Sequence, residues 1–221
     1  MQNINRRQLL ASSGAILGAT VVNPFSSFTR SALAAIDTQK NFDLVRADKN
    51  ENPYGPSRVA LQAINRAMNL TNRYGGGNRR NLAKLIAEQN GVSSENVVLG
   101  SGSGEILKLG GLIASWETGS VVCVDPTYQD LVRYASRVRS QIVRVPVDEN
   151  LACDLEAVAS AIKKDTRMIY LVNPNNPVPN IINKNKLRDF VIEVSKDRLV
   201  FIDEAYHEYV TDPDYSSMMD L

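Results

Sequence analysis

From Asn41 onward, short apolar runs alternate with amphipathic stretches, and no repeat, low-complexity segment or long linker interrupts them. Five runs, at 96–99, 120–124, 141–145, 168–172 and 199–202, are short and mostly β-branched, which predicts strands. Between them apolar residues recur at helical spacing over 104–115, 128–139, 155–163 and 184–195, with Asp154 placed to cap the third. Two more helices, over 57–69 and 78–89, precede the first strand. Strand alternating with helix requires crossover connections, so the expected architecture is three-layer α/β/α around a mostly parallel sheet. Such sheets bind ligands at the carboxyl ends of their strands, and that is where chemistry is sought.

Four segments in that position carry suitable residues. Gly100-Ser101-Gly102-Ser103-Gly104-Glu105 follows one strand and opens a helix, offering free backbone N–H groups to an anion such as a phosphate. The G-x-G-x-G spacing fits neither a dinucleotide fingerprint nor a P-loop, and a tight turn would need glycine in any case. Leu199 to Ile202 delivers Asp203, Glu204 and Tyr206 at its end. A carboxylate there can hold a protonated ring nitrogen as its ion-pair partner, although an acidic loop after a strand is common. Asn173-Pro174-Asn175-Asn176-Pro177 forces an extended or turn backbone and leaves amide side chains for a ligand or for a surface turn. Asp125-Pro126-Thr127-Tyr128 brings an aromatic ring that could cover a planar ligand or simply pack.

Composition narrows the partner. With 25 Lys and Arg against 24 Asp and Glu the net charge is +1, which favours neither nucleic acid nor an anionic membrane. Cys123 and Cys153, with the single His207, make neither a disulfide framework nor a metal site. The N-terminus differs from the rest: Arg6-Arg7, an apolar stretch from Leu9 to Val22, and Ala32-Leu33-Ala34 follow the order of an export signal. Residues 1–35 therefore read as a twin-arginine signal peptide that exports a folded protein to the periplasm. An amphipathic or disordered tail on a cytoplasmic protein is the alternative.

Taken together, Asp48-Lys49-Asn50-Glu51-Asn52-Pro53-Tyr54-Gly55-Pro56, Arg73-Tyr74, the 100–105 loop, Pro126-Thr127-Tyr128, the 173–177 segment and Asp203-Glu204-Ala205-Tyr206 are six motifs in a set order. In that order they resemble the class I/II aminotransferases of aspartate-aminotransferase-like fold, and in particular the histidinol-phosphate aminotransferases. The resemblance implies the large domain of a fold-type I enzyme using pyridoxal 5'-phosphate (PLP), a homodimer, and small-molecule amino donors and oxo acceptors. It implies that Ser103, Gly104 and Glu105 offer N–H groups to the cofactor phosphate, that Tyr128 stacks on the pyridine ring, that Asn176 and Tyr206 bond its phenolic oxygen, and that Asp203 pairs with its nitrogen. Tyr74 would reach the neighbouring subunit's cofactor phosphate, and Asn50 and Asn52 would belong to an arm that closes over substrate. On this reading 36–77 is the N-terminal arm with the first helix, and 78–221 is an incomplete large domain.

The match has departures. Val178-Pro179 stands where Thr-Gly is usual, Gly75-Gly76 where Pro-Asp is usual, and Gly104 where Asp is frequent. The family's Schiff-base lysine lies in a Ser-Lys motif downstream of Asp-Glu-Ala-Tyr, so it is expected beyond Leu221, and the 221 residues alone are expected to lack turnover. The alternatives are a non-catalytic exported remnant, or another fold-type I PLP enzyme such as a lyase or decarboxylase.

Overall fold

The structure, a computed structural model, describes residues 48–221; the segment read as an export signal lies outside them. The chain forms two units, one ending at Thr71 and the other running Asn72–Leu221. In the first, Asn52 Oδ1 accepts the Tyr54 N–H at 3.0 Å, and Gly55 turns the chain at φ 65°. Ser57 then caps helix α1 (Arg58–Ala67), its hydroxyl oxygen accepting the Ala60 N–H at 3.2 Å. Asn50 and Asn52 are exposed.

The second unit opens with α2 (Gly76–Asn90), which Gly91 ends in the left-handed conformation at φ 68°. Residues 94–96 make a single 3-10 turn. Run 96–99, expected as a strand, is not one. Val97 is extended at φ −106° and ψ 115°, but a strand needs a neighbour to complete its backbone hydrogen bonds, and no described strand lies alongside. The remaining four expected strands form: β1 (Ser120–Asp125), β2 (Gln141–Pro146), β3 (Thr166–Val172) and β4 (Leu199–Asp203). They alternate with α3 (Ser103–Ala114), α4 (Asp130–Arg137), α5 (Leu155–Ala161) and α6 (Lys184–Val194). Helix α4 is shorter than the pattern implied because Arg139 turns left-handed at φ 82°, which a helix cannot accommodate.

Asp154 caps α5 as expected, its Oδ1 accepting the N–H groups of Glu156 and Ala157 at 2.9 and 3.1 Å. Asp154→Ala leaves both donors unpaired and is expected to lower stability by about 1 kcal/mol, read as a lower urea midpoint at unchanged slope.

All four strands are parallel, in the order β2-β1-β3-β4. Leu107 and Ala114 of α3 and Leu131, Val132 and Ala135 of α4 pack on one face with Val121, Cys123, Met168, Tyr170 and Val172. Val158 of α5 and Leu187 and Val191 of α6 pack on the other face with Val122, Val124, Ile169 and Leu171. The side-chain period of two sorts each strand between the two cores. Buried on both sides, β1 and β3 read as continuous apolar runs, as parallel strands must.

The order also places a crevice. From β1 the chain steps outward to β2, then crosses back over β1 to β3 and continues to β4. With right-handed crossovers, reversing direction moves the connecting helices to the opposite face. The loops after β1 and β3 therefore diverge to opposite sides, and the opening between them is the place such folds offer a ligand.

Candidate active site

Each wall of that opening is one of the segments anticipated from the sequence. After β1, Pro126 and Thr127 are tied to the loop after β3: Thr127 Oγ1 donates to Asn175 Oδ1, and Asn175 Nδ2 donates to the Pro126 carbonyl, both at 3.0 Å. These two bonds fix the separation of the walls. Asn176, next in line, is half-buried and spends no side-chain hydrogen bond within the described residues. Its amide is therefore available to a ligand. Tyr128 lies in the loop, not in α4, and is 37% exposed. Its hydroxyl donates to Asp130 Oδ2 at 3.3 Å. Partial burial and the Asp130 charge hold that hydroxyl above the ordinary tyrosine range, with a further contribution from Asp203.

The glycine-rich loop is shaped for close approach. A Cβ on Gly100 would stand 2.7 Å from Ile106 Cδ1, and Gly102 takes φ 79° just before α3. Glu105 folds its carboxylate back onto the Ser101 N–H at 2.5 Å. Ser103, Gly104 and Glu105 occupy the first turn of α3, where backbone N–H groups have no intrahelical partner. Gly102 supplies no side-chain cap. The helix thus presents unpaired donors and the positive end of its dipole, a place for an anion. Asp130 Oδ2 comes within 4.0 Å of where a Gly104 Cβ would be, which carries the wall through Asp130 and Tyr128 toward Asp203.

Asp203 ends β4. By strand alternation it continues the face of Phe201, the face covered by α3 and α4. It is 8% exposed. Its Oδ1 accepts the Ala205 N–H at 3.1 Å, and its Oδ2 accepts the Tyr170 hydroxyl at 3.5 Å. Burial raises its pKa above the usual aspartate range, the two hydrogen bonds partly offset that, and the Glu204 charge adds to the rise. No described cation pairs with it. A buried carboxylate without a positive partner is costly to keep charged. The carboxyl is therefore more stable with a proton, or with a cation brought from outside the chain, than as a lone charge.

The other predicted residues have different surroundings. Tyr206 is half-buried just beyond Asp203. Tyr74 is fully exposed, at 105%. Glu204 is directed to structure: its carboxylate accepts from Ser217 Oγ and, at 2.9 Å, from the Met218 N–H. The one Ser-Lys dipeptide, Ser195-Lys196, closes α6 at the amino ends of the strands, where Lys196 pairs with Glu193. It stands away from the crevice.

Two residues of this region have parts that the sequence did not assign: Asn173, named there only within its Asn-Pro segment, and Tyr170. Asn173 is fully buried and holds three elements: its N–H donates to the Asp203 carbonyl at 2.9 Å, its Oδ1 accepts the Ile182 N–H at 2.9 Å, and its carbonyl accepts the Tyr215 hydroxyl at 3.1 Å. Tyr170 reaches Asp203 from the neighbouring strand. The sequence carries no signal for it; only the register of β3 and β4, which pairs Val172 with Asp203, puts Tyr170 two residues earlier on the same face.

The fold and these walls define a parallel α/β enzyme scaffold with an anion site at one end of its crevice and a buried carboxylate at the other. The chain belongs to the aminotransferase class I and II family, whose model matches residues 43–220. It is 35% identical over 177 residues to histidinol-phosphate aminotransferase of Moorella thermoacetica, covering 80% of this chain and 46% of that protein. It superposes on the histidinol-phosphate aminotransferase of Clostridium acetobutylicum with TM-score 0.70 at 29% identity, covering 80% of this chain and 51% of the other. For the Sinorhizobium meliloti histidinol-phosphate aminotransferase, solved in complex with PLP, the TM-score is 0.67 at 26% identity, covering 75% and 45%. The chain spans about half the length of the relatives it matches.

Proposed function

We propose that this chain is the cofactor-holding part of a PLP-dependent aminotransferase that moves an amino group between an amino acid or a histidinol-phosphate-like amino phosphate and a 2-oxo acid. The observation that carries the reading is Asp203, a buried carboxylate without a cation at the carboxyl end of β4, on the sheet face that α3 covers. When bound, PLP supplies a protonated pyridine that withdraws electrons from the substrate α-carbon. The chain's residues supply the rest. The N–H groups of Ser103, Gly104 and Glu105 hold the phosphate, and Asp203 keeps the ring nitrogen protonated by pairing with it. Asn176 and Tyr206 bond the phenolic oxygen, and Tyr128 covers the ring and excludes water from one face. Glu105, by occupying the Ser101 N–H, fixes the loop before any anion arrives.

Three finer points belong to this proposal. The fully exposed Tyr74 serves a neighbouring copy's phosphate in a homodimer. The Arg6-Arg7 segment directs export of the folded protein. The 221 residues alone bind cofactor without turning over, because no lysine follows Asp203 among them. The test is a PLP titration of the purified chain followed by absorbance, repeated with inorganic phosphate as competitor. Saturable binding relieved by phosphate is expected. No binding at millimolar PLP overturns the cofactor reading, and sustained amino transfer by residues 1–221 overturns the assignment of the lysine outside them.

A further inference from the structure

Tyr170 has no side-chain exposure and lies in a strand whose other core-facing residues, Met168 and Val172, are apolar. A buried phenol needs a hydrogen-bond partner, and here the hydroxyl points along the strand to Asp203 Oδ2 at 3.5 Å. Register explains the reach. Tyr170 is two residues behind Val172, the partner of Asp203, a span of about 6.6 Å along a parallel strand. No shorter polar side chain at that position would bridge it.

The ring is held independently of the hydroxyl. It meets Phe201 edge to face, with centroids 6.0 Å apart and planes at 65°. Phe201 in turn fills the space over Gly110, where its Cε2 would be 2.6 Å from an added Cβ. The hydroxyl's location is therefore set by core packing. Asp203 Oδ1 is held by its own loop, through the Ala205 N–H. Anchors on both oxygens, one local and one from the adjacent strand, fix the rotation of the carboxyl group.

We propose that Tyr170 is a positioning residue for the reaction, fixing the Asp203 carboxylate in the orientation that meets the cofactor's ring nitrogen. The proposal rests on the PLP reading above. At 3.5 Å the bond is at the long end of hydrogen-bond reach, and such contacts tighten when a ligand completes the site. The titratable groups that interact with the carboxyl are Tyr170 from the sheet, Tyr128 from the loop after β1, and Glu204 from its own segment. Of these, Tyr170 is the one whose hydroxyl donates to it.

Tyr170→Phe tests this, because the ring stays and only the hydroxyl leaves. Two readouts are needed. In the cofactor-free protein, a carbon-13 titration of the Asp203 carboxyl should move to higher pH in the variant. In binding, PLP affinity should fall about 3- to 10-fold, while the analogue with carbon in place of the ring nitrogen binds both proteins alike. Ala114→Gly, at the far end of α3, loosens the same core and leaves Tyr170 and Phe201 in place; it should lower the melting temperature and leave the PLP-to-analogue ratio unchanged. An unchanged titration and ratio in Tyr170→Phe overturn the proposal alone. Absence of PLP binding by the wild-type protein overturns the cofactor reading, and this proposal with it.

Discussion

Asp203→Asn is expected to weaken PLP binding by about 10- to 100-fold while leaving the cofactor-free protein at least as stable at neutral pH. The first effect follows from losing a charged hydrogen bond to the ring nitrogen, worth about 1.5–3 kcal/mol. The second follows from linkage. Burial raises the Asp203 pKa in the folded protein above the ordinary aspartate range. The folded state therefore holds this proton more tightly than the unfolded chain does. Whatever stability the group contributes is present below its unfolded pKa and is lost as pH rises through the folded value. At neutral pH the wild type bears the burial of an unpaired charge, and asparagine removes it. Melting curves recorded from acid to neutral pH should show wild type gaining on the variant as pH falls. Equal PLP affinity for both proteins would sink the role given to this carboxylate.

Gly111→Ala should destabilise the protein by about 1–3 kcal/mol, against the trend that alanine favours helices. Two effects compete. Replacing a mid-helix glycine gains up to about 1 kcal/mol in propensity. The new methyl, however, would lie 2.9 Å from the Leu131 carbonyl oxygen and 3.1 Å from the Ala135 nitrogen. Both are backbone atoms of α4, so relief requires α3 and α4 to separate, which opens the layer of Leu107, Leu131 and Val132. The clash wins. Gly77→Ala is the control: an added Cβ there meets nothing within 4 Å, and its φ is not left-handed. That change should stabilise by about 0.4–1 kcal/mol. Urea unfolding of both variants reads the comparison, and a stabilised Gly111→Ala would show that α3 and α4 are less tightly apposed than described.

Much of the architecture was legible because parallel strands buried on both faces leave runs such as Val121-Val122-Cys123-Val124 that no exposed element would carry. The site was legible where chemistry interrupts such a run: glycines after Leu99, Asn-Pro after Val172, Asp-Glu after Ile202. What stayed hidden depends on partners that local sequence does not name. Run 96–99 has strand-like residues but no described neighbour to pair with. Tyr170 reads as one more core aromatic until β3 and β4 are set in register. Glu204 looks as available as Asp203, yet residues 217 and 218 return to occupy it, a contact set by tertiary structure alone.

A sheet whose strands all run one way has a front and a back. The crevice occupies the front, and the back is built of plain turns such as Thr166 to Lys163, where Arg198 laces onto the carbonyls of Lys163 and Lys164. Lys164 is exposed there, while burial pushes the native thiols Cys123 and Cys153 up to about 11 and about 12, leaving them poor nucleophiles. A Lys164→Cys tether would therefore fasten the molecule to a support by its back, presenting the crevices of the whole layer outward to the solution.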